Sequence, residues 1–184
     1  MDLLLRKMAG HGLRRPADLT LFWTTDLGTL LISEGIPTVI CVSRSRLLVG
    51  LAETEGPALA SGIAGLLASP LPVTIREGLG SLQGFLSVGG RVRREPIGTD
   101  DIDGSLSQGV PVILCVASRS FHDDCSATGG HFVEVVGRDG PSFRVISPGR
   151  SSYRLLTVET NRLLNACHVW GGWAVLPACP PIVK

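Results

Sequence analysis

The chain has 184 residues, 17 Lys and Arg against 16 Asp and Glu, 44% hydrophobic residues and 18% charged ones. That balance argues against disorder, which goes with few hydrophobes and high net charge. It also argues against a general nucleic-acid binder, because a net charge of +1 provides no field to hold a polyanion. One domain spanning residues 1–184 is expected, since even ~150 residues bury roughly two-thirds of their unfolded surface.

In chain order, Leu3, Leu4, Met8 and Leu13 can share the face of a first helix that Pro16 ends. Thr24 or Thr25 can cap a second, TDLGTLLISEG, with a Leu27, Leu30, Leu31 stripe and Gly35 closing it. PTVICVS reads as a short buried strand. Residues 53–87 read as two helices, PALASGIAGLLAS and TIREGLGSLQGFLS, split at Pro70 and Pro72. RVRREPI reads as a solvated edge strand, and TDDIDGSLSQG as a helix that Gly109 closes. Strands PVILCVAS, HFVEVVGR, SFRVISP and GWAVLP follow, the second and third joined by a tight turn at Asp139 and Gly140. A helix TVETNRLLNAC capped by Thr157 precedes the last strand. Helices followed by a mainly antiparallel sheet predict an α+β fold.

The five cysteines, Cys41, Cys115, Cys125, Cys167 and Cys179, are odd in number and scattered, which fits free thiols in a reducing, cytoplasmic setting better than a disulfide framework. Cys41 and Cys115 lie in apolar runs and read as inert core residues, and Cys167 as structural. The N-terminus lacks the order of charge and cleavage site of a signal peptide, and no apolar run reaches the ~20 residues of a membrane span.

The chemistry-bearing segment is GVPVILCVASRSFHDDCSATGGHFVEVVGRDGPSFRVISPG, residues 109–149. Within it His131 enters a strand after two glycines, whose bare backbone lets a ligand approach. The alternative for His131 is a strand histidine satisfied by a backbone carbonyl. His122, Asp123, Asp124 and Cys125 include metal-ligand types without zinc spacing, so a solvated loop is favoured and no metal or other cofactor is implied.

GGHFVEVVGRDGPSFRVISPG resembles the histidine strand, turn and following strand of papain-like cysteine peptidases of the bacteriocin-processing, double-glycine type. FWTTDLGTLLISEGI is similar to a helix of the same group, nearest the branch named for guanylyl-cyclase-domain-containing proteins, and GVPVILCV to one of its strands. Residues 44–95 carry little of the likeness. The resemblance implies a papain-like fold with N-terminal helices packed on the sheet, a peptide or protein as substrate or ligand, and action on a peptide or amide bond. It puts His131 at the proton-exchanging histidine and Ser147 at the position where the group has an orienting Asp or Asn.

The cysteine nucleophile of the group sits in an Asp-Cys-Gly-Pro motif just upstream of the residues matching DLLLRKMAG, so the resemblance implies a chain without that segment. Two explanations compete: a degenerate relative that binds a peptide or protein in a vestigial cleft, or an enzyme whose segment lies before Met1 or on a partner. Serine at 147 favours the first, because a neutral hydroxyl cannot stabilise a charged imidazole as a carboxylate does.

Overall fold

The computed structural model describes residues 23–45, 48, 51, 56–122, 129–148 and 153–177. The expected first helix, Cys125, Cys179 and the acids of FHDDC lie outside them. Among the described residues six helices surround one seven-stranded, mainly antiparallel sheet, an α+β architecture. No described helix is long and apolar enough to cross a membrane.

Helix α1 (Thr24–Ser33) buries Leu27, Leu30 and Leu31, the stripe that 3.6-residue periodicity demands. Its N-cap is Trp23 rather than a threonine: the Asp26 carboxylate accepts the Trp23 N–H at 3.0 Å, which leaves Thr24 and Thr25 free to be buried inside the first turn. Gly35 closes the helix with φ +79°, as its sequence position predicts. Strand β1 (Thr38–Cys41) follows, then α2 (Gly56–Leu67) and α3 (Val73–Ser87), the two helices expected on either side of the paired prolines.

Phe85 of α3 shows why this half closes tightly. A Cβ on Gly28 would lie 2.6 Å from its ring and one on Gly90 2.5 Å from it, so the two glycines enclose the phenylalanine. Around it gather Ile40, Val42, Leu48, Leu51, Leu59, Ile63, Leu79 and Leu82.

Strand β2 (Arg91–Arg93) sits at the sheet edge, parallel to β1. Arg91 is exposed as expected of a solvated edge, but Arg93 is half-buried and grips Asp101 with both terminal nitrogens, at 2.8 and 2.7 Å. Asp101 belongs to α4 (Thr99–Ser107) and also accepts the Gly98 N–H, so one carboxylate closes the helix start and ties it to the edge strand. The Arg93 guanidinium holds the Asp101 carboxyl below its usual range.

The rest of the sheet comprises β3 (Val112–Ala117), β4 (Gly130–Asp139), β5 (Ser142–Pro148), β6 (Tyr153–Glu159) and β7 (Ala174–Pro177), in the order β2-β1-β7-β3-β4-β5-β6. Between them lie α5 (Ser118–His122) and α6 (Thr160–Val169).

Three sequence expectations change. TVETNRLLNAC is not helical from Thr157, because Tyr153 to Glu159 pair with β5 at all seven positions and Val158 and Leu156 pack into the core. The helix starts at Thr160, whose hydroxyl donates to the Pro141 carbonyl at 2.6 Å. The strand PVILCVAS ends at Ala117, and Ser118 opens α5 where a loop was expected.

One face of the β3–β6 ribbon packs Val133, Val135, Phe143, Val145 and Val158 against Ile102, Phe121, Leu163 and Ala166 of α4, α5 and α6. The opposite face meets α1, where Ile113 and Val175 contact Leu27 and Leu31.

Candidate functional site

The alternation of β4 and β5 builds the site. His131 shares a face with Val133 and Val135, and Ser147 with Phe143 and Val145, so both continue apolar columns to the same end of the ribbon. The pairing of Ala117 with Gly130 then carries Ser118, the next residue of the chain, over the start of β4. The Ser118 N–H donates to the Gly129 carbonyl at 3.0 Å and fixes that approach.

The two sequence-predicted residues come together. Ser147 Oγ lies 3.4 Å from His131 Nε2, and Ser147 is 4% exposed. The other ring nitrogen, Nδ1, lies 3.0 Å from Ser118 Oγ. A neutral imidazole has one N–H and one lone pair, so one hydroxyl accepts from the ring and the other donates to it. The histidine is therefore satisfied by two side chains, and the backbone-carbonyl alternative does not describe it.

Two aromatic contacts fix the ring plane. His122 stacks on His131 with centroids 5.0 Å apart and planes 9° off parallel, and Phe121 meets it edge-on at 5.4 Å. Arg162 of α6 donates to the Phe121 carbonyl at 2.8 Å, which holds the short helix α5 in place. Burial pushes the His131 pKa down to about 4, and the nearby His122 adds to the effect. The imidazole is thus neutral at physiological pH, able to take a proton but not standing as an imidazolium.

No described cysteine serves as its partner. Cys41, Cys115 and Cys167 are free and buried, and burial pushes their thiols up to about 11, 12 and 12. At neutral pH they remain thiols, inert as their apolar settings predict. Among the described residues no three His, Cys, Asp or Glu side chains gather as a metal site would require. Trp170, 43% exposed, lies against the backbone of Gly130, where a Cβ would come within 2.5 Å of the indole; that contact accounts for the second glycine before His131.

Sequence reasoning missed Ser118, and it saw His122 only as a loop residue. The signal for Ser118 was the strand pairing: once PVILCVA is laid antiparallel to GHFVEVV, the residue after Ala117 must fall beside His131. Comparison with protein-family models, characterised proteins and solved structures finds no match to this chain.

Proposed function

We propose that this chain is a papain-like domain of the bacteriocin-processing-peptidase type that receives a peptide at the His131 end of its sheet and acts on a peptide or amide bond there. The observation that carries the reading is the array Ser118 Oγ, His131 Nδ1, His131 Nε2 and Ser147 Oγ, with contacts of 3.0 and 3.4 Å. It supports the roles implied by the resemblance: His131 takes a proton from the attacking group and delivers it to the leaving nitrogen, while Ser147 holds the other ring nitrogen.

A second reading, a non-catalytic domain that binds a peptide or protein in the same cleft, is favoured by one feature. His131 faces hydroxyls and no carboxylate among the described residues, so nothing there stabilises an imidazolium.

Turnover of a quenched-fluorescent random hexapeptide pool separates the readings. Hydrolysis that His131→Ala abolishes is the expected result. Binding of the same pool that depends on His131, with no hydrolysis, establishes the second reading. Neither binding nor hydrolysis removes both.

A further inference from the structure

The site end of the ribbon carries a third polar residue that the array does not use. On the face that packs against α4, α5 and α6, Val135, Val145 and Leu156 lie side by side in register across β4, β5 and β6. One step toward the site, Ser147 pairs directly with Arg154. Directly paired residues on one face have Cβ atoms about 5 Å apart, so the arginine stem rises beside the Ser147 hydroxyl. Apolar columns thus end together in His131, Ser147 and Arg154, one on each of three neighbouring strands.

Arg154 is exposed, and its guanidinium has no ion-pair partner among the described residues. Three other arginines are engaged, Arg93 on Asp101, Arg138 beside Asp103 and over the Phe143 ring, and Arg162 on the Phe121 carbonyl, whereas exposed Arg91 on β2 and Arg144 on β5 are not paired with an acid among the described residues and lie away from His131. The described side chains that meet the His131 ring, Ser118, Phe121, His122 and Ser147, include no carboxylate, and Arg154 stands on the next strand beside Ser147. A neutral imidazole adds no charge to this end, so Arg154 brings a fixed cation to the strand beside Ser147.

We infer that Arg154 is a specificity-determining residue that receives a carboxylate of a peptide bound at His131, an inference that rests on the function proposed above. The planar guanidinium fork matches a carboxylate with two parallel hydrogen bonds, whereas the serine hydroxyls of the array supply single ones. The carboxylate can be a free C-terminus or a Glu or Asp side chain, which present the same group.

The test uses three fluorescein-labelled hexapeptide pools on the full chain: a neutral pool with amidated C-termini, the same pool with free C-termini, and an amidated pool with one Glu. At least one carboxylate pool should bind about fivefold tighter than the neutral pool at low salt, and which one does identifies the source of the group. Arg154→Gln should erase that preference and leave neutral-pool binding unchanged, while Arg154→Lys should retain part of it. Equal, His131-dependent binding of all three pools overturns the role of Arg154 and leaves the peptide site standing, as does a preference that survives Arg154→Gln. Failure of every pool to bind overturns both.

Discussion

The inner face of the β4–β6 ribbon is two surfaces on one backbone. At one end Val135, Val145, Phe143 and Val158 pack against Ile102, Phe121 and Leu163, with every position set by strand alternation. At the other the same columns end in His131, Ser147 and Arg154, where His131 and Ser147 satisfy one another and the Arg154 guanidinium stays open to solvent. The difference teaches where specificity is affordable: the apolar end supplies the stability, so the last inward-facing position of each strand at the other end can carry chemistry.

If that division holds, variants at the two ends separate. The largest effect is expected from Phe143→Ala, which empties a fully buried ring site and should cost about 3–5 kcal/mol in urea unfolding. At concentrations where it remains folded, peptide binding should be unchanged. Next comes Ser147→Ala, which leaves His131 Nε2 without its partner and should cost about 2 kcal/mol while weakening peptide binding.

The pH dependence has a defined sign. The folded-state pKa of His131 lies near 4, below the usual 6.5, so the unfolded chain binds the extra proton between those values. Its contribution is fully present above pH 6.5 and is lost as pH falls toward 4. Because the ring is only partly buried, the loss should be on the order of 1–2 kcal/mol, and smaller in His131→Gln when thermal midpoints at pH 7 and 4.5 are compared. Smallest is Ser118→Ala, about 0.5–1 kcal/mol, since α5 stays anchored by Phe121 and Arg162.

How much of this was legible follows the same division. The β4–β5 hairpin was readable because RDGPS supplies turn chemistry between alternating strands, and Gly140 adopts φ +56° there. The enclosure of His131 and Ser147 on one face followed from that pairing. Strand β6 was not readable: YRLLTVE has adjacent leucines and ends in TVET, whose Thr, Val and Glu fit a helix start as well as a strand. Pairing with β5 decided it, a tertiary effect that no local propensity carries. Arg154 was hidden with it, because a residue on an unrecognised strand has no neighbours. Ser118 was lost because α5 is only five residues long and makes no periodic pattern.

The most direct measurement is the His131 ring resonance, followed by NMR through a pH titration with and without the neutral hexapeptide pool. The account predicts a midpoint of about 4 for the free chain and a ring resonance that moves when peptide is added. A midpoint near the unperturbed 6.5, with no response to peptide, would contradict it.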